Sequence, residues 1–317
     1  MSRLSVIAAV LSVTMLTATA HADDDREPPS EPNPTGAWLT LGGAYAVFGG
    51  WMYVAWYRNH RDLADFKWGG DGWLGSTTYA GGADKFGHAW ATMSLARGGT
   101  ELLHQWGGYS MLKSSLIATA MSEALFIGVE VRDGFTFEFS FSDLTGDTVG
   151  ALIALALSNF PRLDELFDYR VQYFPSSIYL DKLDGSSPCP TGGCSRWNIA
   201  EDYSGQTYLL AFHLGGIHAL RDSEYGGWSR FVDVTAGFQT RDYKPPPDAA
   251  MNPKPRQDMF IGVSLNMQGV LDTLLSNHHT AKKITHGMFE IFNLPFTNLP
   301  VLEHEHHAAG APATDGA

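Results

Sequence analysis

Hydrophobic and polar positions follow two rhythms along this chain, and the change falls at Pro161. Before it, apolar stretches at 36–57, 84–104, 111–130 and 143–160 carry isolated polar residues at helical spacing, which predicts four helices. Pro161 closes the last of them. Gly146, Gly150 and Ala154 stand four apart on that helix, so another backbone can approach it closely. The first stretch has no charge until Arg58, and Trp38, Tyr45, Trp51, Tyr53, Trp56 and Tyr57 are spread along it. Its length fits a membrane span with aromatic ends. After Pro161 the period becomes two. In 259–268, Ile261, Val263, Leu265 and Met267 fall on one side, and Gly262, Ser264, Asn266 and Gln268 fall on the other. Segments 228–239 and 207–217 are further strand candidates. Three or four strands cannot close a membrane barrel, which takes about eight or more. The expected fold is therefore mainly α: a four-helix bundle, membrane-embedded if its helices span, followed by a small antiparallel β-sheet region. The apolar side of that sheet is expected to pack on the helices.

The flanks divide the chain further. Residues 1–22 read as a signal peptide, with Arg3, an apolar run over 4–16 and the cleavage pattern Ala20-His21-Ala22. No Cys follows that run, so no acyl anchor is expected. Residues 23–35 form an acidic, Pro-rich linker, 36–160 the helical bundle domain, 161–302 an α+β region, and 303–317 a flexible His-containing tail. Cys189 and Cys194, set among Pro188, Pro190, Gly192 and Gly193, read as a small disulfide loop facing an oxidising space. Four spanning helices would return the chain to the same side, in agreement with that loop.

Composition narrows the function classes. The 317 residues carry a formal charge of −13, which works against a nucleic-acid partner, since phosphate contacts need clustered Lys and Arg. Only 17% of residues are charged, while aromatics reach 12%, so a packed chain is expected over most of the length. A mean hydropathy of −0.12 excludes a protein made wholly of spanning helices.

The chemistry-bearing residues collect in the helical stretches. Asp84 and His88 are four apart and share a helix face, where a carboxylate can orient an imidazole for base or metal chemistry. The same spacing also suits plain helix-start electrostatics. Arg97 and Glu101 turn to another side and read as a surface ion pair. Glu123 and Glu130 lie seven apart among Met, Leu, Phe and Ile, where an ionised carboxylate is costly without a partner. A functional site and a buried structural ion pair are equally open there. Ser140 and Asp143 make a capping-box pattern, whereas Asp147, one turn further on, has no capping role. The catalytic candidates are Asp84, His88, Glu123 and Asp147; the metal candidates are His88, Glu130 and Asp143. No cofactor is fixed by these residues, although a divalent metal is one they admit.

The same positions carry a family likeness. Asp84-Lys85-x-x-His88, an acid-bearing helix, Asp133-Gly134, and the run Phe141-Ser142-Asp143 to Asp147 and Gly150-Ala151 resemble the YfiM-like family of predicted periplasmic lipoproteins, defined by a domain of unknown function. More loosely, the opening motif is similar to that of VanZ-like membrane proteins, in which Asn is usual where Asp147 stands. The likeness covers about 80–160, and the sheet region resembles longer members at Gly205-Gln206-Thr207-Tyr208 and Arg256-Gln257. It implies an exported, membrane-associated periplasmic protein and brings no reaction with it.

Two functions follow as expectations. One is a non-enzymatic envelope component in assembly or binding, with membrane lipid or an envelope protein as partner. The other is a hydrolase or metal-dependent enzyme acting on a lipid- or wall-linked substrate through the Asp/His/Glu cluster. No Gly-x-Ser-x-Gly, His-Glu-x-x-His or P-loop pattern is present to favour the enzyme.

Overall fold

The computed structural model of the chain describes residues 31–60, 62–70, 72–75, 78–184, 198–243 and 255–307. The signal peptide, most of the linker and the Cys189–Cys194 loop lie outside these residues. Four helices come first: α1 (Pro34–Met52), α2 (Ala83–Glu101), α3 (Met111–Thr136) and α4 (Phe141–Asn159). Asn33 starts α1 by accepting from the Gly36 amide at 2.8 Å, and α1 and α2 each run on into a π-helical turn. Two short strands, β1 (Trp68–Gly69) and β2 (Phe139–Ser140), pair in parallel. The second half holds β3 (Phe167–Tyr173), β4 (Gln206–His213), β5 (Val232–Arg241), β6 (Arg256–Leu265), the helices α5 (Met267–Leu274) and α6 (His279–Ile291), β7 (Phe292–Asn293) and β8 (Asn298–His307).

The chain is mainly α with a β region, and α2 is its centre. Met93 and Ala96 of α2 are buried, and Phe86 and Trp90 pack with Tyr169, Tyr208, Phe238 and Phe292 of the sheet. At its C-terminal end, Leu102 and Leu103 meet Ala37 and Leu41 of α1 and Ile117 and Met121 of α3. The small residues of α4 do what their spacing implies: Gly150 lies so close to α2 that a Cβ there would fall 2.0 Å from the Ala89 carbonyl oxygen. Gly146 stands likewise against the Lys85 carbonyl oxygen, at 2.7 Å.

Four expectations need correction. The sheet is not small and antiparallel: it has six strands in the order β7-β3-β4-β5-β6-β8, and the β7–β3 pair is parallel. Polar residues hid β3 (Asp168, Arg170, Gln172) and β8 from the alternation of apolar positions. Residues 303–307, expected as the start of a flexible tail, are the second half of β8 and pair with β6. Most of the apolar side of β6 does not pack on the helices: Met259, Ile261, Val263 and Leu265 are exposed, while Asp258 and Ser264 on the other side are buried. Finally, Arg97 is no surface residue. It is buried, ion-paired with Asp164 at 2.7 Å and with Glu290 of α6, and bonded to Ser158 at 3.1 Å. Sequence spacing along one helix cannot reveal partners that arrive from 60 and 190 residues away.

Among the described residues, one helix is long and apolar enough to cross a membrane, and it is α3. The stretch 36–57, whose charge-free length suggested a span, misses that measure because Gly and ring-hydroxyl residues dilute its hydropathy. The outward positions of the helices are nonetheless apolar: Leu39 and Val47 on α1, Leu116, Ile127 and Val131 on α3, and Val149 and Leu152 on α4 are all exposed.

Candidate functional site

Inside this greasy exterior the three helices α2, α3 and α4 bring ionisable side chains together. His88 of α2 lies with its Nδ1 3.1 Å from Asp147 Oδ1 of α4 and 3.9 Å from Glu130 Oε1 of α3. Asp147 is fully buried, and the Thr92 hydroxyl donates to its Oδ1 at 2.8 Å. Its Oδ2 is buried without a hydrogen-bond partner. One ligand atom each from His88, Glu130 and Asp147 falls within 4.8 Å of the others.

One turn toward the N-terminus of α2, Lys85 spans two more carboxylates. Its Nζ lies 2.9 Å from Asp84 Oδ2 and 3.0 Å from Asp143 Oδ1. The sheet fixes this turn. Gln257 of β6 donates through Nε2 to the carbonyls of Leu74 and Gly81, which lead into α2. Gly81 and Gly82 there have φ of 62° and 84°, a conformation open to glycine.

The cap of α4 shows how the arrangement is built. Ser140 Oγ accepts from the Asp143 amide at 3.2 Å, as the sequence predicts for a capping box. In the reciprocal half, the residue at N3 would reach back to the Ser140 amide. Here that amide donates to Glu130 Oε2 at 3.1 Å, and the Asp143 carboxylate pairs with Lys85. The α4 start is therefore tied to both α3 and α2, and Glu130 has one oxygen held while the other faces His88.

Charge in this volume does not balance. Asp84, Glu130, Asp143 and Asp147 face Lys85 and His88, so two negative charges are left over if all are ionised. The side chains respond as buried like charges must. Burial, with Asp143 adding to it, lifts Asp84 to about 7. Burial also lifts Glu130, to about 8, against the opposing pull of His88. For His88, burial disfavours the charged form, but Asp147, Asp143 and Glu130 outweigh it and raise the imidazole to about 10.

Of the sequence candidates, Asp84, His88, Glu130, Asp143 and Asp147 thus share one buried volume. Glu123 does not join His88. It accepts from Thr148 at 2.7 Å, about two turns from Glu130 along α3. Asp133 is bound by the Tyr57 hydroxyl at 2.8 Å, on the flank of the cluster. Sequence reasoning missed Lys85 and Thr92 as participants. Thr92 had a signal, since it stands four after His88 and so on the same helix face. Lys85 is adjacent to Asp84 and reaches the site only because its long side chain can bend back, which spacing does not encode.

An N,O,O donor set with one unpartnered buried carboxylate oxygen suits a divalent ion of the zinc or manganese type better than calcium, which prefers oxygen alone. A divalent cation held by a deprotonated His88 would also offset much of the negative charge that the surrounding carboxylates carry when ionised. A second group, Asp258 with Glu303 and Glu305, has its acids similarly close together, but Arg256 already pairs with Asp258 and Glu305.

No curated protein and no solved structure matches the chain. The match that exists falls on the helices just described and agrees with the likeness read from Asp84-Lys85-x-x-His88 and Asp143 to Gly150. Residues 70–159, which contain every member of the cluster, match the model of a family described as predicted periplasmic lipoprotein (DUF2279).

Proposed function

We propose that this exported, membrane-associated envelope protein binds a divalent transition-metal cation between His88, Glu130 and Asp147, and that the ion fixes the helical unit in the form its envelope partner recognises. The observation that carries this reading is Asp147 Oδ2, buried, unpartnered and set beside a second carboxylate and an imidazole. Lys85, Asp84 and Asp143 act around it by holding the N-terminal turns of α2 and α4 together. Thr92 orients Asp147, and the Ser140 amide orients Glu130.

Burial favours a binding role over turnover. The side chains of Glu130 and Asp147 are 2% and 0% exposed and that of His88 only 19%, so the imidazole alone offers an edge to an incoming molecule. The hydrolytic alternative rests on that edge, backed by the Asp147–His88 pair as an oriented base. Helices α2, α3 and α4 with α1 alongside support the bundle reading of 36–160, and their apolar outward positions support contact with lipid.

Metal analysis of purified protein, dialysed against Zn²⁺ or Mn²⁺ and then desalted, tests the proposal. We expect about one ion per chain, lost in Asp147→Asn and His88→Ala but retained in Glu123→Gln. Wild-type protein that emerges without metal, at unchanged thermal stability, overturns it.

A further inference from the structure

The sheet is built inside out. Residues paired across antiparallel strands share a side, and the register places Leu210, Ala236, Ile261 and Leu302 in one row. Phe212, Val234, Val263 and Leu299 form the next row, and Val232 and Leu265 begin a third. Helix α2 covers this side at Tyr169, Val171, Tyr208 and Phe238 and, through Trp90, at Phe292. Leu210, Val234, Met259, Ile261, Val263, Leu265, Leu299 and Leu302 remain exposed, with no charged residue among these rows.

The other side is where the polar groups went. Arg170 is buried between Asp168 and Asp233, and His213 bridges the same two carboxylates at 2.9 and 2.7 Å. Gln268 of α5 accepts from Arg170 at 3.1 Å, and Asn266 donates to Asp233 at 2.9 Å. Apolar outside with polar inside reverses the order of a water-facing sheet and is the order of strands that face lipid.

From these observations we infer that the exposed side of β4, β5, β6 and β8 is a lipid-contacting surface that lays the β region against the hydrocarbon boundary of a membrane leaflet. Size argues for lipid over a second copy of the chain. Four strands about 4.8 Å apart, with apolar positions over about 20 Å of strand, give a footprint of roughly 300–400 Å². That matches the largest apolar patch of a typical soluble monomer, which is often functional, and is only about half of the ~800 Å² per partner that a stable dimer buries. The edges fit as well. Tyr225, Trp228 and Phe296 are exposed where β5 begins and β8 is entered, with Arg230 exposed beside them. Aromatic rings with a cation beside them suit the headgroup level, where an Arg can reach lipid phosphate. Toward the opposite end of the edge strand, His304 pairs with Met259 on this side. The inference does not depend on the cation between His88, Glu130 and Asp147.

Co-sedimentation with vesicles of phosphatidylethanolamine and phosphatidylglycerol tests it. The variant Ile261→Thr/Val263→Thr/Leu302→Thr keeps β-branched residues in two of the strands and removes apolar area, so partitioning should weaken at least about tenfold with the far-UV spectrum unchanged. Leu116→Gln/Leu152→Gln on the helices serves as the comparison and should weaken it less. If the triple variant does not fold, quenching by lipids brominated along their acyl chains gives a second reading. It should be strong in wild-type protein and reduced in Trp228→Tyr. Unchanged partitioning of a folded triple variant overturns the inference. So does loss of a wild-type dimer in sedimentation velocity with vesicle binding intact, which would make this side an interface between copies.

Discussion

At the scale of single residues, the molecule places charge where solvent cannot screen it and then compensates locally. His213 is the clearest case away from the candidate cation site. Burial disfavours its charged form, but Asp168 and Asp233 on either side raise it to about 9. Asp168 is pushed up by burial, yet Arg170 and His213 beside it bring the carboxyl down to about 2. The raised imidazole favours folding fully below its unfolded pKa near 6.5, and that contribution fades as pH rises toward 9. The lowered carboxyl favours folding above about 3.9 and loses its contribution as pH falls toward 2. Thermal stability should therefore decline between about pH 6.5 and 9, with His213 contributing on the order of 3 kcal/mol, and His213→Gln should lessen that slope, leaving the part that belongs to His88, while lowering stability at pH 6. A variant whose melting temperature tracks the wild type across the same range contradicts the assignment of the slope to this residue.

Elements are held by close approach as much as by greasy area. Helix α4 touches the α2 backbone through Gly146 and Gly150, so Gly150→Ala must push the two helices apart. A cost of about 1–3 kcal/mol is expected from chemical denaturation. The same shift should separate His88 from Asp147 and weaken cation binding, whereas Gly128→Ala, with open space around it, should do neither. This packing was legible beforehand: the Gly146, Gly150, Ala154 spacing pointed to a close helix pair, and the four helical stretches fall within a few residues of α1–α4. The Ser140 cap was legible too, because its pattern is local. What could not be read is equally physical. Whether Glu130 meets His88 depends on how three helices rotate about one another, which no single period contains. The alternation in 259–268 located β6 as far as Leu265, though Asn266, Met267 and Gln268 start α5 instead, and it carries no sign of which side faces out. Assuming apolar inside, as water-facing sheets have it, inverted the answer. In β3, the inward Asp168 and Arg170 erased the very pattern that reveals a strand.

For the whole molecule, one arginine joins the two halves. Arg97 leaves α2 to meet Asp164 and Glu290, the latter on α6, where Lys or a shorter residue could not reproduce the forked geometry. Arg97→Ala strands two carboxylates in a low-polarity setting, and a loss of about 3 kcal/mol in unfolding free energy is expected, with Arg97→Lys recovering only part. If instead Arg97→Ala unfolds like the wild type, the halves are held by their other contacts, those of Phe86, Trp90 and Gln257. Both halves share one design, with polar groups within and apolar groups without, as an envelope protein lying against lipid would need. The cluster at His88, Glu130 and Asp147 is the point on which the functional reading turns. Anomalous diffraction from crystals grown with Zn²⁺ tests it directly. A strong peak is expected between His88, Glu130 Oε1 and Asp147, in contact with Asp147 Oδ2. A peak elsewhere in the chain, or none at this position at saturating Zn²⁺, would contradict it.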